Sequence, residues 1–244
     1  MLWASAMHCD NTLSPYERTG RRKRIAGKIW PPTFALRRCF VVSKRRPLAE
    51  LLDALAAVMA ERDLPWYLFG AQAAIVWGSP RLSADVDITA TIELANVDSF
   101  IETMRRHGFD ATFSDPDFVE RTRVLVFVHR STHMPLDVVL AGPGLEEDFL
   151  RRAVSVDVDG TRIPVISPED LIIAKILAGR PKDIEDARSV IHERRASLDG
   201  KRIRTFLGLL EQALGQSDLL PVFEKAWAEA KSPLKKARRR EKPN

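Results

Sequence analysis

The chain has 244 residues, 45% of them hydrophobic, enough for one sizeable domain or a small domain with a helical appendage. No apolar run approaches the roughly 18 residues of a bilayer span, and the first residues lack the basic start and apolar centre of a secretory signal, so a cytoplasmic protein with no membrane contact is expected. The net charge of +5 is segregated: residues 1–46 carry 11 Lys/Arg against 2 Asp/Glu, residues 231–244 carry 7 against 1, and residues 47–230 carry 20 against 30. The expected folded body is therefore acidic, and the basicity belongs to its tails.

In chain order, residues 1–46 mix Pro, Arg and Lys without a sustained period and read as a basic, disordered extension. Both cysteines, Cys9 and Cys39, lie there, so nothing asks for a disulfide framework or a Cys-ligated zinc. From Pro47, the spacing of Leu48, Leu51, Leu52, Leu55 and Val58 predicts a helix to about Arg62. WYLF at 66–69 predicts a short strand ended by Gly70, and AQAAIVW at 71–77 a small-faced helix. VDITA at 86–90 predicts a second strand, and a helix follows at about 96–107 with Gly108 as its stop.

RVLVFVH at 123–129 and PLDVVLA at 135–141 predict neighbouring strands. SVDVDGTRIPVI at 155–166 predicts a hairpin turning at Asp159-Gly160. SPED at 167–170 announces a helix that stops at Gly179, with Ser as cap, Pro in the first position and acids in the first turn. Amphipathic segments at about 182–195, 199–213 and 217–230 complete a helical end, before a basic disordered tail at 231–244. The expected fold class is α/β (α+β): a mixed sheet flanked by helices over 47–166, then a small helical domain over 167–230.

Asp85 and Asp87 stand one residue apart in ADVDI. In a strand, residues i and i+2 share a face, so two like charges would project together, at a cost unless solvent or a cation intervenes. Close oxygen ligands suit Mg²⁺ or Mn²⁺. A second pair, Asp157 and Asp159, runs straight into a Gly turn and reads as an exposed hairpin tip. Upstream of the first pair, Gly70 hands a strand to a helix whose free N–H groups can hold phosphate. Downstream, Asp137 in PLDVVL is a lone charge in an apolar strand, expensive unless it joins the pair. Three carboxylates around one or two metal ions can clamp both oxygens of a phosphoryl displacement.

These residues resemble the nucleotidyltransferase fold shared with DNA polymerase beta. The resemblance lies in Phe69-Gly70-Ala71, a gap of thirteen residues, Asp85-Val86-Asp87, and the later strand residue Asp137. More narrowly, GSPRLSADVDI and SPEDLIIAKILAGRPKDIEDA are similar to segments of bacterial toxin-type nucleotidyltransferases of abortive-infection and toxin–antitoxin systems. The resemblance spans about 48–195. It implies metal binding by Asp85, Asp87 and Asp137, with Asp137 also helping to deprotonate an attacking hydroxyl. It places Gly70, Ala71, Arg81, Ser83 and Asp183 among the nucleotide-binding residues, with Arg81 and Ser83 flanking the triphosphate. Lys175 would be a phosphate contact, where the residues alone allow a snorkelling surface lysine. Asp183 and Asp186 fill an Asp-x-x-Asp motif, where the residues alone read as helix N-terminal charges. Ala71 departs from the Gly or Ser common at that position.

The function so implied is Mg²⁺-dependent (or Mn²⁺-dependent) transfer of a nucleoside monophosphate from an NTP to an acceptor hydroxyl. A tRNA end or a protein side chain is the implied acceptor, and a cognate antitoxin the implied partner. Two alternatives stand beside it. One is a catalytically silent nucleotidyltransferase-like module acting through a protein or nucleic-acid partner. The other is a small-molecule, antibiotic-modifying transferase, whose cationic acceptor the acidic body would suit.

Overall fold

The computed structural model describes residues 46–113 and 115–230. The extension and tail expectations, apart from Arg46, lie outside the described residues. The elements follow in chain order: α1 (Pro47–Glu61), β1 (Trp66–Phe69), α2 (Gly70–Trp77), β2 (Val86–Ala90), a 3₁₀ turn (Leu94–Asn96), α3 (Val97–Arg106), β3 (Phe109–Phe113), α4 (Pro116–Thr122) and β4 (Val124–His129). Then come β5 (Pro135–Leu140), α5 (Leu145–Arg152), β6 (Val154–Val158), β7 (Thr161–Val165), α6 (Pro168–Ala178), α7 (Pro181–Arg194), α8 (Gly200–Leu214) and α9 (Leu219–Glu229). The mixed α/β class with C-terminal helices is the one expected.

The strands form one sheet in the order β3-β4-β5-β2-β1-β7-β6. β2 runs parallel to β5 and β1 parallel to β7, while the remaining pairs are antiparallel. Along β5 burial alternates: Leu136, Val138 and Leu140 are buried, and Pro135, Asp137 and Val139 are half-buried on the opposite face. That period of two is the mark of a strand with one face in the core. Central β1 is buried at Trp66, Tyr67 and Leu68 in succession, as expected of a strand covered on both faces. α1 packs on β7 and against α3, whereas α2 packs on β1 and β2 and against α6 and α7. Leu51, Leu52, Leu55, Phe100, Met104 and Phe127 are fully buried in the resulting core, with Phe100 and Phe127 edge to face at 6.2 Å.

Local chemistry accounts for the element ends. Ser167 caps α6 by accepting from the Asp170 N–H, and Gly179 closes it in the left-handed region at φ 66°. The hairpin turns at Asp159 and Gly160 with φ of 53° and 94°, the two positive angles a tight two-residue turn needs. There Asp157 accepts from the Gly160 N–H at 3.0 Å and Asp159 meets Arg46 at 2.9 Å, both aspartates exposed as expected.

Three elements escape the sequence pattern. β3 is a short edge strand with only Phe109 buried, so it carries little hydrophobic signal. α4 is too short to show a period, and its signal is the cap: Asp115 accepts from the Asp117 N–H and Pro116 opens the helix. Arg123, expected to start β4, instead ends α4 at φ 55° and sends its guanidinium to the carbonyls of Leu140 and Ala141. α5 buries only Phe149 and is marked by acids in its first turn and arginines in its last. No helix among the described residues is long and apolar enough to cross a membrane.

Candidate active site

Parallel pairing of β2 with β5 sets Asp87 directly beside Asp137 in register. The antiparallel pairing of β1 with β2 sets Phe69 beside Asp87, which places Gly70 and the start of α2 at the same carboxylate. Gly70 has φ +64°, and a Cβ built there would stand 2.1 Å from Asp87 Oδ2. Both its backbone conformation and the carboxylate therefore require glycine. The Ala71 N–H donates to the Asp87 carboxylate, so a free amide at the helix start is already engaged by the aspartate. Asp85 lies in the loop just before β2 and is exposed.

Burial pushes the Asp87 carboxyl above its ordinary value, and the charges of Asp137 and Asp85 push it further. The Ala71 N–H and the charge of Lys175 pull the other way without cancelling the rise. Burial, then the charge of Asp85, pushes Asp137 up as well. Three mutually repelling oxygen-donor side chains at one end of two paired strands make a site that favours positive charge.

The cations expected to serve a triphosphate are already paired. Arg81 holds Asp186 through both carboxylate oxygens, at 2.8 and 2.9 Å. Lys175 reaches Asp183 at 2.7 Å and Asp186 at 2.9 Å, and its side chain is only 10% exposed. Lys175 is thus a buried lysine between two carboxylates, and the snorkelling alternative does not hold. Asp183 is fully buried in the first turn of α7, between Lys175 and Arg180. Burial alone would raise its carboxyl, but hydrogen bonds from Arg180 and Lys175 and their charges hold it below the ordinary range. Ser83 sits in the loop before β2, its carbonyl accepting from Gln72 at 3.1 Å.

The structure thus gathers Gly70, Ala71, Asp87 and Asp137 at one spot, with Asp85 two residues before Asp87. Lys175 and Arg180 lie near enough for their charges to act on Asp87. Arg180 and Gln72 are the neighbours that sequence reasoning passed over. Arg180 precedes the Asp-x-x-Asp motif by the interval that puts it beside Asp183. Gln72 is the polar residue in an otherwise small and apolar helix. Among the described residues no three His, Cys, Asp or Glu side chains are placed to hold a metal ion by themselves. The donor set of carboxylate oxygens is nonetheless of the kind Mg²⁺ takes, since that ion keeps waters and phosphate oxygens around one or two carboxylates.

A mixed sheet that sets a strand-to-helix glycine against a carboxylate pair on adjacent parallel strands defines a nucleotidyltransferase fold. The chain belongs to the family described as Nucleotidyltransferase of unknown function (DUF6036), whose profile matches residues 48–206. No curated protein sequence matches it significantly. Among solved structures it is similar to ANT(2'')-Ia in complex with adenylyl-2''-tobramycin, at 15% identity over 69% of this chain and 99% of that one, with a TM-score of 0.49. It is also similar to an antigenic nucleotidyltransferase-like protein from Paracoccidioides brasiliensis, at 15% identity over 73% and 92% of the two chains, with a TM-score of 0.47. A nucleotidyltransferase from Thermotoga maritima is 17% identical over 60% of this chain and 95% of its own, with a TM-score of 0.38. The family assignment rests on the match over 48–206 rather than on these distant likenesses.

Proposed function

We propose that the protein transfers a nucleoside monophosphate from an NTP to an acceptor hydroxyl, using Mg²⁺ or Mn²⁺. The observation that carries this reading is the register pairing of Asp87 with Asp137 above Gly70. Asp85, Asp87 and Asp137 would hold the metal, which when bound supplies positive charge against the phosphates and the attacking oxygen. A phosphate would bind at the start of α2 by taking the Ala71 N–H from the Asp87 carboxylate, with Ser83 and the Arg81 N–H groups not turned to Asp186 as further donors. The acceptor oxygen forms a bond to the α-phosphorus while the bond from that phosphorus to the β-phosphate bridging oxygen breaks, releasing pyrophosphate. Asp137 takes the acceptor's proton. Lys175 and Arg180, held by Asp183, would add positive charge near Asp87.

What supports a macromolecular acceptor, tRNA or protein, and a cognate antitoxin is the likeness of residues 78–88 and 167–187 to toxin-type segments. The test is labelling of total RNA and lysate with each labelled NTP and Mg²⁺, by wild type and by Asp85→Ala/Asp87→Ala. Labelling by wild type alone supports the reading, and equal labelling by both sinks it.

One observation favours a second reading, a catalytically silent module working through a partner. The Ala71 N–H is engaged by Asp87, and Arg81, Lys175 and Arg180 are each paired with a carboxylate. Retention of the cellular effect by the Asp85→Ala/Asp87→Ala protein would decide for it.

A further inference from the structure

We infer that Gln72 is a positioning residue that holds Asp85 at the mouth of the site by clamping the loop in front of β2. The inference rests on the nucleotidyltransferase reading and adds to it a residue that touches neither nucleotide nor metal. Gln72 is 5% exposed, on the buried face of α2 with Ala73 and Ala74. Its side-chain amide nitrogen donates to the Ser83 carbonyl at 3.1 Å and to the Asp85 carbonyl at 3.3 Å. A primary amide has two N–H donors, and the two carbonyls use both. They bracket residue 84 and belong to the last turn of chain before the strand.

The loop is held at its two ends by different helices. Residues 79–85 have no regular secondary structure, and Pro80, Arg81, Leu82, Ala84 and Asp85 are exposed, Leu82 at 99%. Its first half is tied to α7, where the Ser79 N–H donates to Ser189 Oγ at 2.7 Å and Arg81 grips Asp186. Its second half is tied to α2 through Gln72. Asp87 is fixed by the sheet, whereas Asp85 lies one residue before the first paired position, Val86, where the clamp holds its backbone carbonyl. A buried amide is costly unless both donors are met, which makes the clamped arrangement the favoured one.

Gln72→Met keeps length and removes the donors, and Gln72→Glu keeps shape but sets a carboxylate against two carbonyl oxygens. Gln72→Asn is the milder variant, one methylene too short to meet both carbonyls, should the others fail to fold. Trypsin nicking after Arg81 reads the loop directly, because cleavage follows the population of opened loop. With melting temperatures near wild type, nicking should rise about tenfold. In the labelled-NTP assay kcat should fall about tenfold or more with the KM for NTP nearly unchanged, and the Mg²⁺ concentration for half activity should rise. Combined with Asp85→Ala, Gln72→Met should add little further loss, because both act through the same carboxylate. Wild-type nicking in folded Gln72→Met and Gln72→Asn would overturn the inference, as would a fully additive loss with Asp85→Ala. If the wild-type protein transfers no nucleotide, the functional reading fails while the nicking comparison still decides the clamp.

Discussion

Gly70 and Asp87 make the closest approach at the site, and each constrains the other. An alanine at 70 would carry its Cβ into Asp87 and would have to hold a positive φ that side chains disfavour. Gly70→Ala should therefore lower stability by about 1–2 kcal/mol in urea denaturation and cut NTP labelling by about 100-fold or more, by driving the carboxylate out of register. Asp87 shows the opposite balance. Its raised carboxyl, like that of Asp137, means that the folded state binds a proton more tightly than the unfolded chain. Measured with chelator present, stability should rise as pH falls from neutral through these raised values to the ordinary carboxylate range. Asp87→Asn, which keeps an acceptor for the Ala71 N–H, should be more stable than wild type at pH 7 by about 1 kcal/mol and inactive. The gap should close at the acid end of that window, and a gap that persists there would refute the account.

At the scale of elements, α6 and α7 are joined by charge as well as by packing. Lys175 of α6 lies between Asp183 and Asp186 of α7, and Asp186 in turn holds Arg81 of the loop that leads to β2. A buried lysine that loses a carboxylate is left partly uncompensated, so Asp183→Asn should cost about 3 kcal/mol by urea denaturation. The sign of its pH dependence is opposite to that of Asp87. The Asp183 carboxyl is held low, so its contribution is present above the ordinary carboxylate value and is lost as pH falls through the lower folded value. Resolved by pH, the Asp183→Asn penalty should be full at neutrality and shrink only in strong acid. This ion network also accounts for Lys175, which the sequence left between a snorkelling surface lysine and a phosphate contact. LIIAKIL is apolar on every side, and a lysine there has water or a carboxylate as its options. Only the packing of α7 shows that carboxylates meet it.

For the molecule as a whole, the proposed activity implies ligand-linked stability. With Mg²⁺ and an NTP at about 100 times its Kd, the protein should gain about 2.7 kcal/mol, seen as a rise in melting temperature for the favoured nucleotide. The rise should vanish in Asp85→Ala/Asp87→Ala and on chelation. A rise of equal size in that variant would place the nucleotide elsewhere on the protein.

Much of this architecture is local and therefore written in the chain. The period-two alternation of β4 and β5, the Ser167-Pro168 cap, the Asp159-Gly160 turn and the Gly179 stop each follow from dihedral preference or from one hydrogen bond. The three elements that escaped it, β3, α4 and α5, bury too few side chains to leave a period. Asp87 and Asp137 stood out as candidates because charges in apolar strands are costly wherever the strands go, whereas Asp85 lies in the exposed loop before β2. What tertiary structure alone decided is adjacency. Register between β2 and β5 put Asp87 beside Asp137, and docking of α7 turned Arg81 and Lys175 toward Asp186. Burial of α2 aimed Gln72 at the loop carrying Asp85. These contacts join residues far apart in the chain, and their energies exist only once the sheet and helices have closed around them.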